Sequence, residues 1–199
     1  MLKYLTGLFQ NPNDTWQSVH DQTISIREVY VPYLVLLAAI PAICIFLGGS
    51  QVGWTIGSGD TTRLTAASAM FVGVATYLAL LVGIFLLGYS IHWMSKTYGV
   101  EPKLGTCVGF AALVISPMML AGVVAIYPSL WIYMMVFLVA LAFSVYLLYG
   151  GLPIVLGISQ EQGFVYSSAI LTVGLVMFVA LLGTTVVVWA NGLGPVYIR

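Results

Sequence analysis

Residues 104–160 read LGTCVGFAALVISPMMLAGVVAIYPSLWIYMMVFLVALAFSVYLLYGGLPIVLGISQ, and none of these 57 residues is charged. A helix of that length would measure about 85 Å at about 1.5 Å per residue, whereas the hydrocarbon core of a bilayer is about 30 Å thick. The run therefore contains two membrane spans. Its strongest turn signal is Tyr127-Pro128-Ser129, because proline disfavours helix in the preceding residue and aromatic side chains suit the headgroup region. We expect the hairpin between the two spans there.

The charges elsewhere in the chain separate three further apolar stretches. Only 6% of the residues are charged and 61% are hydrophobic, with a mean hydropathy of +1.06. A soluble domain carries roughly a quarter charged residues, so most of this surface must face lipid. Charge near the bilayer centre is costly, and the spans therefore lie between the charges. The sequence predicts an all-α, polytopic integral membrane protein with five transmembrane helices at about 31–49, 66–93, 105–127, 130–150 and 165–190.

This bundle, residues 31–190, is preceded by a cytoplasmic interfacial segment, 1–30, and followed by a short outer-side tail, 191–199. With the N-terminus in the cytoplasm, the cytoplasmic segments hold Lys3, Arg27, Lys96 and Lys103, and the outer segments hold Arg63 and Arg199. Cytoplasmic loops carry the excess of basic residues, which favours this orientation. No cleavable signal peptide is predicted, because the first apolar run begins only near residue 31. We expect a multi-pass protein of the bacterial inner membrane with a periplasmic C-terminus.

The net charge of +0 bears on the partners of the chain. It leaves no basic face that could neutralise a run of phosphates, so nucleic acid is not an expected partner. The expected partners are the lipid bilayer and either a second copy of the chain or another membrane protein. Small residues recur at intervals of four and eight in three spans, at Ala67, Ala75, Ala79 and Gly83, at Gly105 and Gly109, and at Ala38 and Ala42. Such stripes allow close helix approach, and packing inside the bundle is favoured over a dimer face.

Residues 1–30 predict a short amphipathic segment on the membrane surface. Leucine and Phe9 recur at helical spacing, and Asn11 can cap a second helix with Pro12 in its first turn, where a missing N–H has no cost. Trp16 and Val19 then share one face. We expect the leucines and Trp16 to dip towards the acyl chains.

Three short motifs resemble those of a known family. They are Phe9-x-Asn11-Pro12-x-x-Thr15-Trp16 before the first span, Gly88-Tyr89 at the inner end of the second, and Tyr149-Gly150-Gly151-Leu152 with Gly157-Ile158-Ser159 before the last. Together with five spans, this pattern resembles the bacterial branch of the Yip-domain (Ypt-interacting protein) family over essentially the whole chain. The resemblance implies five spans and a cytoplasmic N-terminus. Eukaryotic relatives act as membrane-trafficking adaptors, and for bacterial members the resemblance implies no settled activity.

Tyr89 and His92 lie at the predicted cytoplasmic end of the second span. A metal-binding role for His92 would need Cys, Asp or Glu at ligand spacing, and none is present. We therefore favour an interfacial residue beside Trp93. No cofactor and no metal are predicted.

Pro41, Pro117 and Pro153 fall within or beside apolar spans, and Ser116 precedes the second of them. In a membrane, a helix broken by proline either lines a cavity or is supported by neighbouring helices. Glu161 follows the third proline and could face such a cavity, as polar groups do at broken transporter helices. The favoured alternative is a solvated loop acid between two spans.

The sequence lacks the convergent polar groups that a catalytic site needs, so we expect no enzyme. Two functions remain open. The preferred one is an adaptor or membrane-organising component that presents residues 1–30 and the loop 96–103 to partners or lipid headgroups. The alternative is a small permease or channel component for a neutral or apolar solute, with a path near Pro117 and residues 149–161. A cavity shared by Ser116, Tyr149 and Glu161 would favour the permease, and a filled bundle would favour the adaptor.

Overall fold

A computed structural model gives the architecture of the chain and describes residues 2–22, 24–54, 61–127 and 129–198. Two short helices come first, α1 (Leu2–Gln10) and α2 (Pro12–His20). Five helices long and apolar enough to cross a membrane follow: α3 (Ile26–Val52), α4 (Ala66–Tyr98), α5 (Leu104–Ile126), α6 (Leu130–Leu156) and α7 (Gln160–Gly192). Two short strands are β1 (Arg63–Leu64) and β2 (Tyr197–Ile198). Across the described residues, the predicted all-α fold with five candidate spans is confirmed.

Side-chain caps fix the beginnings of several long helices. Ser25 and Glu28 form a capping box at α3, in which each residue's side chain accepts a hydrogen bond from the other's backbone N–H. Thr65 caps α4 by accepting from Ser68 N, and Ser159 caps α7 by accepting from Gln162 N at 3.3 Å. These caps satisfy backbone donors that a helix leaves unpaired at its start. We call the end of the bundle that carries α1, α2 and the α4–α5 and α6–α7 turns the N-terminal side, and the opposite end the C-terminal side.

Helix α5 forms the centre of the bundle. It contacts α3, α4 and α6, and it meets α1 and α2 at the N-terminal side. In the most apolar stretch of α5, 67% of the residues are buried, whereas in the corresponding stretch of α7 only 6% are buried. A Cβ added at Gly88 of α4 would lie 2.6 Å from the Cα of Val108, and one added at Gly122 would lie 2.5 Å from the Cβ of Pro41. Glycine therefore brings α3 and α4 into close contact with α5.

The prolines lie inside helices. Pro41, Pro117 and Pro153 each fall within a continuous helical segment. Helix α6 continues past Pro153 to Leu156, beyond the predicted limit at 150, and ends at Gly157, whose φ of 65° suits a left-handed helix cap. Neighbouring helices support the proline turns. The turn between α5 and α6 lies where the sequence predicts it, although Pro128 itself is outside the described residues.

The small-residue stripe of α4 packs inside the bundle only in part, contrary to expectation. Ala67 and Ala75 are exposed, Ala79 and Gly83 are partly buried, and a Cβ added at Gly83 would meet no atom within 4 Å. Helix α4 is apolar on all sides, so its sequence does not show which face meets protein. The buried face instead contains Gly73, where an added Cβ would lie 3.0 Å from the carbonyl oxygen of Ala42. Ala38, Ala42, Gly105 and Gly109 are buried or partly buried, as expected for packing within the bundle.

The C-terminal tail is attached to the C-terminal side of the bundle. Strand β2 pairs antiparallel with β1, in a register that places Leu64 opposite Tyr197. The backbone N–H of Thr65 donates to the carbonyl of Val196 at 3.0 Å, and the Trp54 ring meets the Tyr197 ring edge-on at 6.0 Å. The far end of α7 is thus tied to the α3–α4 connection.

Candidate functional site

The two N-terminal helices form a hairpin that packs on the bundle, and we call residues 2–22 the N-terminal hairpin. Helix α2 lies against α6, and both short helices touch α5. Gly7 allows α1 and α2 to approach, because an added Cβ would lie 2.5 Å from the Thr15 hydroxyl oxygen. Leu8 is buried, and the Tyr4 hydroxyl donates a hydrogen bond to the side-chain oxygen of Gln22. The hairpin is therefore a packed part of the protein.

Trp16 anchors this hairpin in a notch on α6. Its side chain is 1% exposed, and its ring lies 5.1 Å from the Phe110 ring of α5 at an interplanar angle of 53°. A Cβ added at Gly151 would lie 2.5 Å from Trp16 Cε2 and 2.8 Å from both Cδ2 and Nε1. Only glycine leaves room for the indole there. We call this contact the Trp16–Gly151 notch.

The expectation that Trp16 and the leucines dip into acyl chains is wrong for Trp16 and Leu8. Both side chains are buried by protein at the N-terminal side of the bundle. The notch and the Phe110 ring cover the indole on the protein side, so its apolar surface is removed from water without entering lipid. Phe9 remains exposed and stacks on Phe143 of α6 at a centroid distance of 5.2 Å.

Asn11 precedes α2 as expected, but its side chain does not cap the helix backbone. Its amide group donates to the carboxylate of Asp14 instead. Hydrogen bonds to an ionised acceptor are stronger than neutral ones, which favours this partner over a backbone N–H. Pro12 occupies the first turn of α2 as expected, and the Thr15 hydroxyl donates to the Asn11 carbonyl at 2.9 Å.

Both histidines bond to backbone carbonyl groups. His20 Nδ1 lies 2.9 Å from the carbonyl oxygen of Val155, in the last turn of α6, and His92 Nδ1 lies 2.9 Å from that of Pro102. The first contact fastens the end of α2 to a helix terminus that has unpaired carbonyls. The second holds the α4–α5 turn, while Tyr89 is exposed on α4. No group of three or more His, Cys, Asp or Glu side chains in the described part of the chain could hold a metal ion.

Ser116 belongs to a buried polar pair in the centre of the bundle. Its hydroxyl donates to the carbonyl of Ala112 at 2.7 Å and accepts a hydrogen bond from the Tyr33 hydroxyl of α3. Both side chains are buried, and so is Pro117 next to Ser116. The pair is satisfied by protein atoms and therefore joins α3 to α5.

Tyr149 and Gly150 line a groove between α6 and α7, which we call the α6–α7 groove. Its volume is about 700 Å³, and it is an open groove, not an enclosed cavity. The lining residues are Ala142, Val145, Tyr146, Tyr149, Gly150, Gln160 and Phe164. The Tyr149 hydroxyl lies 2.8 Å from that of Ser168, and the Tyr149 and Phe164 rings are 5.3 Å apart. The tyrosine is therefore held in place as a wall of the groove.

Ser116, Tyr149 and Glu161 do not share one cavity. Ser116 is buried and bonded to Tyr33, Tyr149 lines the open α6–α7 groove, and Glu161 is exposed in the first turn of α7. Pro153 packs against Gly163, where an added Cβ would lie 2.6 Å from the proline Cβ. Pro153 thus closes the junction of α6 and α7 and does not open a path.

Three polar residues in the bundle were not identified from the sequence. Tyr30 donates to the carbonyl of Leu81 at 2.7 Å, and the fully buried Tyr166 donates to the carbonyl of Ile91. Ser144 is buried, and its hydroxyl has no hydrogen-bond partner in the described structure. A tyrosine within an apolar span signals a hydroxyl that needs a partner, and that signal could have identified the two tyrosines.

Known proteins resemble this chain over nearly its whole length. The profile of the Yip1 domain matches residues 6–181. Two curated proteins, each named inner membrane protein YohC, come from Escherichia coli strain K12 and strain O6:H1. Each is 36% identical to this chain over 191 residues, covering 96% of this chain and 98% of the relative. No solved structure gives a significant match.

Proposed function

This chain belongs to the Yip1 domain family, and we propose that it is a non-enzymatic adaptor of the bacterial inner membrane. In this role it presents a fixed polar surface on its N-terminal side to another membrane protein. The similarity to proteins named for the inner membrane supports this location. The five long apolar helices support a multi-pass arrangement.

The docking of the N-terminal hairpin carries this proposal. The Trp16–Gly151 notch and the His20–Val155 contact use the apolar side and the end of α2 to fasten it to α6. The opposite side of α2 is left exposed and polar, and it carries Asn13, Asp14, Gln17 and Ser18. A surface held rigidly before a partner arrives loses less conformational entropy on binding. That is the property an adaptor surface requires.

The packing at the bundle centre is less compatible with a permease. Helix α5 occupies the centre, and Ser116 is bonded to Tyr33. The α6–α7 groove is lined by α6 and α7 and by no residue of α5. A solute path would need polar groups that face a common space through the membrane, as transporter sites do.

The distribution of basic residues supports a cytoplasmic N-terminal side. Lys3, Arg27, Lys96 and Lys103 belong to that side, and Arg63 belongs to the other. Cysteine substitutions at the exposed Ser18 and Thr61 test this arrangement, because Cys44 and Cys107 are both buried. In intact spheroplasts, an impermeant maleimide should label the cysteine at 61 and leave the one at 18 unlabelled. The reverse pattern would show the opposite orientation.

Site-specific photocrosslinking in living cells tests the adaptor role. A photoreactive residue at Gln17 should give one discrete adduct with a membrane protein, whereas the same residue at the exposed Leu138 of α6 should give only lipid adducts. Gly151→Ala should abolish the Gln17 adduct by displacing the hairpin, and Gly150→Ala should preserve it. If photoreactive residues at Asn13, Gln17 and Ser18 all give no discrete adduct, the adaptor proposal is wrong. Flux of a neutral solute into proteoliposomes would then support the permease.

A further inference from the structure

The α6–α7 groove takes no part in the proposed adaptor surface and has the shape of an acyl-chain site. It runs along α6 from Ala142 to Gly150 and reaches Gln160 at the start of α7. Ala142 lies about 20 Å from the end of α6, at about 1.5 Å per residue. The hydrocarbon part of one leaflet is about 15 Å thick, so the length of the groove is comparable to the thickness of one leaflet. A Cβ added at Gly150 would meet no atom within 4 Å, so space remains beside Gly150.

The walls of the groove become more polar towards the N-terminal side. Ala142 and Val145 line the end farther from the α6–α7 turn, and the rings of Tyr149 and Phe164 lie nearer that turn. Gln160 is exposed at the mouth, and its amide makes no hydrogen bond to the described residues. An apolar floor with a polar mouth fits an amphipathic ligand that enters from the bilayer.

The charge around the mouth favours a cationic headgroup. Glu161 is adjacent to Gln160 and is the only charged residue between Lys103 and Arg199. No lysine or arginine of α6 or α7 could therefore bind an anionic headgroup. Glu161 is not one of the lining residues, but it precedes Phe164 by three residues on α7, a spacing that places two side chains on the same helix surface. A carboxylate beside a ring face favours an ammonium group, because ring faces attract cations.

We propose that the α6–α7 groove binds a zwitterionic phospholipid that carries a primary ammonium group, such as phosphatidylethanolamine. One acyl chain lies against Ala142 and Val145, and the ammonium group lies near Glu161 and the Phe164 ring. The Gln160 amide donates to the phosphate or to an ester carbonyl. This inference does not depend on the adaptor role, because the N-terminal hairpin forms no part of the groove.

Native mass spectrometry of the full chain, released from detergent with defined lipids, tests the proposal. We expect phosphatidylethanolamine to bind at least several-fold better than phosphatidylglycerol. Gly150→Leu should remove this preference by filling the groove. Gly183→Leu is the matched control, because Gly183 is also a helical glycine with no atom within 4 Å of an added Cβ. Gly183→Leu should keep the preference of the unmodified chain for phosphatidylethanolamine.

Two milder variants keep the test decisive if Gly150→Leu fails to fold. Glu161→Gln should reduce the preference for the ammonium headgroup while the total number of bound lipids stays unchanged. Phe164→Leu removes the ring, keeps the apolar wall, and should weaken the same preference. Equal binding of the two lipids by the unmodified chain, or a preference unchanged in all three groove variants, would overturn the proposal.

Discussion

Gly151→Ala is the change that most directly tests the docking of the N-terminal hairpin. The new methyl group would lie 2.5–2.8 Å from three atoms of the Trp16 ring, whereas carbon atoms in contact stand about 3.5–4.0 Å apart. The ring is buried and lies beside Phe110, so a shift of the ring would disturb that contact. Overpacking of this kind costs about 1–3 kcal/mol. Gly150→Ala is the matched control, since its methyl group meets no atom and helix propensity alone favours alanine by about 0.5–1 kcal/mol.

Hydrogen–deuterium exchange of the α2 amides in lipid nanodiscs measures this difference. A cost of about 1–3 kcal/mol corresponds to exchange about 5- to 150-fold faster, because about 1.4 kcal/mol corresponds to a factor of ten. Gly150→Ala should exchange like the unmodified chain. Trp16→Leu offers a cross-check, because in that background the added methyl group meets a smaller side chain and should cost less.

The notch account would be refuted if α2 in Gly151→Ala exchanged at the rate of the unmodified chain. It would also be refuted if Gly150→Ala accelerated exchange to the same degree. The second result would mean that any added methyl group on that turn of α6 disturbs the hairpin, whatever it contacts.

Two further predictions concern packing elsewhere in the bundle. Tyr33→Phe should destabilise the protein by about 1 kcal/mol, because it removes the hydrogen bond to Ser116. Ser116→Ala should then destabilise the Tyr33→Phe protein less than it destabilises the unmodified protein. A double-mutant cycle of thermal unfolding measures this difference. Additive costs would show that the two hydroxyls are not coupled. Gly163→Ala should lower the unfolding temperature because its methyl group would lie 2.6 Å from Pro153, whereas Gly183→Ala has open space and should not. Equal unfolding temperatures for the two glycine variants would contradict the packing at the α6–α7 junction.

The candidate site could be predicted in its parts but not in its arrangement. The segment containing Asn11, Pro12 and Trp16 and the glycine pair at 150 and 151 are both recognisable in the sequence. Nothing in either segment indicates that Trp16 enters the space beside Gly151, because this contact joins residues far apart in the chain. The sequence instead suggested lipid as the environment of Trp16, since an indole on an amphipathic helix suits both settings.

The sequence by itself determined the number of spans and the position of the turns. Charged residues cannot lie cheaply near the bilayer centre, so the intervals between Glu28, Asp60, Lys103 and Glu161 limit where helices can cross. The starts of two helices were predicted less well, because the caps at Ser25 and Ser159 place the beginnings of α3 and α7 at residues 26 and 160, before the predicted starts at about 31 and 165.

Only the tertiary structure decided which helix is central and which faces meet. The five long helices are apolar on all sides, because lipid and protein interior are equally suitable for leucine or valine. Their sequences therefore show that these helices are removed from water, but not which faces contact lipid and which contact other helices. Helix α4 illustrates this, since Gly83 faces open space while Gly88, five residues further along, is pressed against Val108. Close packing between helices distinguishes these two glycines, and it exists only once the bundle has formed.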